Sequence, residues 1–139
     1  MKNLLIAGSI GVALSACVSL DPAEMTRPSG QSAYQGNRAE LISYGAELWK
    51  DPKVGNSGLA CQSCHINGAQ FKSTFKQPYP HKVAMASGKA SLDEITSEQM
   101  VQLCMKVPMK AEALPWDSRE LAALSAYIDD VVQPEFAAK

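Results

Sequence analysis

The 139-residue chain is poor in the residues that several common explanations of a cysteine motif would need. It has only two histidines and a single C-x-x-C pair. A structural zinc site takes about four nitrogen or sulfur ligands, and beyond Cys61, Cys64 and His65 the one spare imidazole is His81. Charge of one sign is also lacking: 13 basic side chains stand against 14 acidic ones, with a formal net charge of −1 and no charged block. That balance gives no reason to expect a nucleic-acid partner. No apolar run approaches the length of a spanning helix, no internal repeat is present, and no segment reads convincingly as a strand. Without a βαβ pattern, a thioredoxin-like dithiol loses its usual setting.

What is present begins with the layout of an export signal. MKNLLIAGSIGVALSAC carries one cation at Lys2, an uncharged apolar stretch over residues 4–14, and small residues ahead of Cys17. Leu14, Ser15, Ala16 and Cys17 resemble a bacterial lipoprotein lipobox. The resemblance implies removal of residues 1–16 as a signal peptide and lipid attachment at Cys17. It also implies a membrane-anchored place on the periplasmic side of a Gram-negative-type bacterium, held on the membrane without spanning it. Residues 17–36, rich in Ser, Pro, Gly, Gln and Ala, show no apolar period and are expected to form a flexible lipidated tether. One domain over residues 37–133 follows, with residues 134–139 as a short tail.

Four cysteines are encoded: Cys17, Cys61, Cys64 and Cys104. An exported protein ordinarily pairs its thiols, yet Cys61 and Cys64 are too close in sequence for a loop-closing staple, which leaves Cys104 without a partner. The stretch LACQSCHING, residues 59–68, accounts for two of them. C-x-x-C followed by histidine is the attachment signature of a c-type haem. Two thioether links to the porphyrin need sulfurs about one helical turn apart, which positions i and i+3 provide, and the next residue then projects toward the iron. Cys61 and Cys64 are thus the expected attachment points of one covalent haem c, with His65 as its proximal ligand.

Helical patterning surrounds this motif. Asn37 with Glu40 opens a helix whose Leu41, Tyr44 and Leu48 follow helical spacing before Asp51-Pro52. Thr96 with Gln99 opens a second, carrying Met100, Val101, Leu103 and Cys104. Asp117, answered by Glu120, is expected to cap a third, with Leu121, Leu124, Ile128 and Val131 in one stripe until Pro134 ends it.

A helix ahead of C-x-x-C-H and a C-terminal helix reading LAALSAYIDDVV resemble the class I cytochrome c domain over roughly residues 37–133. The resemblance implies an all-α fold wrapped around one haem, its first and last helices crossing where a glycine on one meets an aromatic on the other. Gly45 in YGAELW and Tyr127 in SAYI match those positions. The approach DPKVGNSGLA is longer than in the smallest members of that family and looks more like that of larger bacterial cytochromes.

The second axial ligand sets much of the potential and decides whether substrate reaches the iron. Class I members commonly deliver a methionine behind a proline, shortly before the last helix. Pro108 and Met109 in KVPMKAEALPWDS match, so Met109 is the expected distal ligand. The function then implied is one-electron transfer between partner redox proteins, by a carrier more than an enzyme. Cys104 is the alternative. LCMKVPM followed by ALPWDSRELAALSAYI is similar to the haem domains of thiosulfate dehydrogenases and of the catalytic Sox cytochrome subunit, some of which place a cysteine thiolate on iron. That likeness implies a role in sulfur-compound oxidation. His81, in QPYPHKV, reads as a surface or propionate contact ahead of a ligand. Met85, Met100 and Met105 read as packing residues, and Trp116 and Tyr79 as covers for the haem edge or partners of a propionate.

Overall fold

The computed structural model describes residues 19–139. Their framework is helical: α1 (Arg38–Leu48), α2 (Cys61–His65), α3 (Ala84–Ala90), α4 (Ser97–Lys106), α5 (Arg119–Tyr127) and α6 (Gln133–Ala137). One short antiparallel ladder joins β1 (His81–Lys82) to β2 (Glu94–Ile95), pairing His81 with Ile95. The all-α expectation is met. A ladder two residues long is below the length at which alternation can show in a sequence.

Two helix starts behave as their letters suggest. The Asn37 side chain accepts the Glu40 N–H at 3.1 Å. At α4, Thr96 Oγ1 accepts from Gln99 N–H while Gln99 Oε1 accepts from Thr96 N–H at 2.9 Å, a reciprocal pair that satisfies two otherwise unpartnered donors. At α5 the cap lies one residue later than expected: Ser118, not Asp117, accepts the Leu121 N–H. Glu120 in turn receives the Tyr44 hydroxyl at 3.2 Å and so ties α5 to α1. Pro134 does not end the helical run. The chain widens through a π-helical turn at Ile128–Val132 and re-enters α6 with Pro134 in its first turn, where a missing N–H costs nothing.

The most extensive helix pairing is α1 on α5. Its closest point is Gly45, where an added Cβ would lie 2.1 Å from the Ala123 carbonyl oxygen and 2.7 Å from Tyr127 Cβ. The glycine on one helix and the aromatic on the other therefore do meet. Leu41, Ala123 and Ala126 close the same seam with small or fully buried side chains.

Both ends of the domain are more ordered than their composition suggested. Residues 19–36, expected as a loose tether, lie along the domain as a strap. Leu20 N–H donates to the Lys89 carbonyl at 2.7 Å, and Met25 is 1 % exposed, with its carbonyl taken by Gln99 Nε2 at 3.0 Å. Arg27 pairs with Glu98 at 2.6 Å, donates to the Trp116 carbonyl and lies over the Trp116 ring. Trp116 is thereby committed to the strap and not to the haem edge. These are isolated anchors without a repeating pattern, so no periodicity announces them. Residues 134–139, expected as a tail, belong largely to α6. Gln133 donates to the Phe75 and Lys76 carbonyls at 3.3 and 3.0 Å, and the Phe136 ring meets those of Phe71 and Phe75.

Gly45→Ala should be destabilising although alanine is the better helix former. The clash is with backbone, which cannot swing aside as a flexible side chain would, and overpacking of this kind costs about 2 kcal/mol. Thermal unfolding of the holoprotein should show a midpoint roughly 8 °C lower; an unchanged midpoint would mean that α1 and α5 can separate freely.

Candidate haem site

The elements enclose a cavity of about 280 Å3 whose walls come from α2, residues 70–83, α3, α4, the 108–109 turn and α5 with its π-helical continuation. Most of the wall is apolar. Cys61, Cys64, His65, His81, Cys104 and Met109 all border it, so the residues singled out in the sequence converge on one space. Cys17 lies outside the described residues.

α2 is a single helical turn and needs outside support. Its Gln62 N–H donates to the Trp49 carbonyl at 3.0 Å, at the end of α1, and Ala60 N–H donates to Ser63 Oγ at 3.0 Å. Cys61 and Cys64, three apart on this turn, are free thiols that share a side of it. Burial, reinforced by Cys64, pushes the Cys61 thiol up to about 11.

His65 is held on two sides. Its ring lies parallel to Phe71 with centroids 4.2 Å apart and stacks more loosely on Trp49 at 5.8 Å. Nδ1 is 3.2 Å from the Ala69 carbonyl oxygen. A carbonyl can only accept, so the proton sits on Nδ1 and the Nε2 lone pair is left free for a metal. Burial lowers the pKa of the ring below its ordinary value, which keeps the imidazole in the neutral, ligating form. The turn that returns Ala69 to His65 passes through Asn67 and Gly68 at positive φ. Gly68 also sits against Phe136, whose Cδ2 would be 2.9 Å from an added Cβ.

Cys104 on α4 borders the same cavity and retains part of its surface. Desolvation is the main cause that drives its thiol up to about 12, with Cys61 and Cys64 adding to the shift and no cation among the described residues opposing it. Met109 has a different setting. It is 3 % exposed and belongs to the core cluster with Trp49, Met105 and Leu121. Its carbonyl accepts from Asn56 and Ser57 N–H at 2.8 and 3.0 Å, and its own N–H donates to the Cys104 carbonyl at 3.0 Å. Gly55 permits this approach: a Cβ there would be 2.7 Å from Met109 Cβ. The long DPKVGNSG approach to the motif is therefore the clamp on the Met109 turn.

Met85, Met100 and Met105 line the cavity as well, and Tyr79 does so while Trp116 does not. His81, expected at the surface or on a propionate, is 2 % exposed and forms part of the cavity wall. No group of three or more potential metal-holding His, Cys, Asp or Glu side chains occurs among the described residues. α3 and the role of β1 in placing His81 were not foreseen; AMASGKA has too few large apolar residues to display a stripe.

A short helical turn offering two thiols and a metal-ready imidazole to a largely apolar cavity defines a cytochrome c domain, and these residues fit a covalently held haem. The chain matches the family model of the SoxA/TsdA cytochrome c domain over residues 44–133 and belongs to that family. No curated protein and no solved structure matches it. Membership implies haem c as the cofactor. Among the described residues no helix is long and apolar enough to cross a membrane.

An unfilled cavity of this size in so small a core would cost on the order of several kcal/mol, a large part of the stability of an ordinary domain. The chain without haem should accordingly fold poorly. A Cys61→Ala, Cys64→Ala double variant, followed by circular dichroism during heating, should have reduced helicity and a broad transition; native helicity with a sharp transition would refute this.

Proposed function

We propose that the domain holds one haem c on Cys61 and Cys64, with His65 and Cys104 as its axial ligands, and that it serves in the oxidation of inorganic sulfur compounds outside the cytoplasm. The observation that carries the reading is the placement of Cys104: it borders the cavity and keeps part of its surface, while Met109, which borders the same cavity, is almost fully packed into the core cluster. Membership in the SoxA/TsdA family supports the same choice. The haem, when bound, supplies a one-electron couple. The protein's part is to hold the two ligands in place, to exclude water with the methionine and aromatic walls, and to keep His65 neutral and oriented through Ala69.

The raised Cys104 pKa agrees with this role. Nothing among the described residues stabilises a thiolate there, so the anion is expected only with a cation of the cofactor beside it, and coordination to a metal ion removes the proton outright. A thiolate ligand lowers the potential relative to methionine. Anchoring at Cys17 remains part of the proposal. If that cysteine carries lipid, the strap beginning at residue 19 keeps the domain close to the membrane face.

A second reading has its own observation. The Pro108-Met109 turn borders the cavity and is fixed by hydrogen bonds from both sides, as would suit a methionine ligand in a simple electron carrier passing electrons between partner proteins. Absorption spectra of the ferric and ferrous holoprotein separate the two. Cys104→Ser is expected to alter the ferric spectrum and raise the midpoint potential, with Met109→Leu leaving the spectrum in place. Loss of a long-wavelength methionine–sulfur band in Met109→Leu alone would instead establish the carrier.

A further inference from the structure

We propose that His81 binds a propionate carboxylate of the haem, donating from Nε2, and so sets which edge of the macrocycle faces residues 70–81. This rests on the reading above that haem occupies the cavity.

Three observations carry it. First, His81 is fixed. Its backbone is paired with Ile95, and its ring stacks on Tyr79 with centroids 4.1 Å apart and meets Phe75 edge-on at 6.0 Å.

Second, its polar atoms are unspent. Nδ1 is enclosed without a hydrogen-bond partner. Nε2 has no partner among the described residues either, but it is not enclosed, and the open space bordered by this residue is the cavity. A neutral imidazole carries one N–H. Placed on Nδ1, that donor would be buried without an acceptor; placed on Nε2, it faces a space where a ligand can supply one. The tautomer that costs least thus presents a donor to the cavity. Tyr79, whose hydroxyl is also without a partner among the described residues, belongs to the same wall.

Third, the wall is polar on one side only. Apart from the thiols, His65 and the Trp49 indole, its polar side chains are Gln70, Lys72, Thr74, Tyr79 and His81, all on one segment, and no acidic residue is among them. A haem is apolar over most of its surface and carries its two carboxylates on one edge. Only this segment answers that edge, with Lys72 supplying a cation at the exposed end and His81 a buried donor. A buried carboxylate without such a donor would be costly.

The test uses the holoprotein, with covalent haem first verified by its alkaline pyridine spectrum; absence of haem from the wild-type chain would defeat the site assignment itself and is read separately. Resonance Raman spectra of wild type, His81→Phe and His81→Gln are then compared in the propionate-bending region, together with the ferric-to-ferrous ratio at one fixed electrode potential and pH 8. His81→Phe should shift the propionate band. It should also move the ratio about threefold or more toward ferric, the scale of one net hydrogen bond, because an unshared carboxylate stabilises the more positive iron. His81→Gln, which keeps an N–H donor, should restore most of both. An unchanged propionate band in His81→Phe overturns the proposal. So do altered axial-ligand bands, which would put His81 on the iron, or an effect confined to binding of added sulfite, which would make it a substrate contact. Should His81→Phe fail to mature, histidine nitrogen NMR of the ferrous wild type reads the same point: a proton on Nε2 in slow exchange supports it, and a proton on Nδ1 overturns it.

Discussion

Backbone contact between α1 and α5 at Gly45 and Ala123 is the constraint from which the site is built. Because the backbones of the two helices come into contact at Gly45, the end of α1 arrives at a fixed height on α5, and Trp49 is carried there with it. The Trp49 carbonyl receives the Gln62 N–H and so positions α2, a turn too short to hold itself, while the Trp49 ring forms one side of the His65 slot. Beyond the crossing, α5 runs through its π-helical turn into α6, which delivers Gln133 and Phe136 to the loop carrying Phe71 and Phe75. One close approach thus locates the thiols, and its continuation locates the ring that packs on His65.

The cavity is lined by groups of three chemical kinds, each on its own part of the wall. Two thiols and the His65 imidazole come from α2, further sulfurs from α4, and the uncharged polar and cationic groups from residues 70–81. Such division suits an asymmetric ligand that is anchored at one edge, ligated at its centre and charged at another. It also explains why buried His81 can be tolerated with an enclosed, unpartnered nitrogen: the cost of one unpaired acceptor is smaller than that of an enclosed donor facing nothing.

The strap and α6 add closure to a domain whose core is otherwise divided by its cavity. Arg27 reaches Glu98 and the Trp116 carbonyl together, and Gln102 bridges both backbone groups of Leu114 at 2.8 and 2.6 Å, so the chain between α4 and α5 is held from two sides. That segment contains Met109. Its rigidity is useful in either ligation scheme, since a ligand or a water-excluding wall must keep its position as the charge on iron changes.

Cys61, Cys64 and His65 were legible in the sequence because their chemistry is local: a sulfur every third residue and an imidazole next in line require one helical turn and little else. The capping pairs at Asn37 and Thr96 were legible for the same reason, and the cross-helix partners Gly45 and Tyr127 were legible through their family resemblance. Ser118 took the cap from Asp117 because both are good caps and only the helix's approach to α1 chooses between them. Pro134 was read as a stop because a π-helical turn has no sequence period of its own. Long-range matters were hidden. The strap depends on single contacts between distant residues, His81 on a two-residue ladder, and the standing of Cys104 against Met109 on how deeply each of two cavity-bordering residues is packed. The sequence by itself determined the C-x-x-C-H turn and the helices around it; tertiary structure alone decided which groups border the cavity, because a side chain's neighbours across a cavity are set by how helices cross and not by the order of the chain.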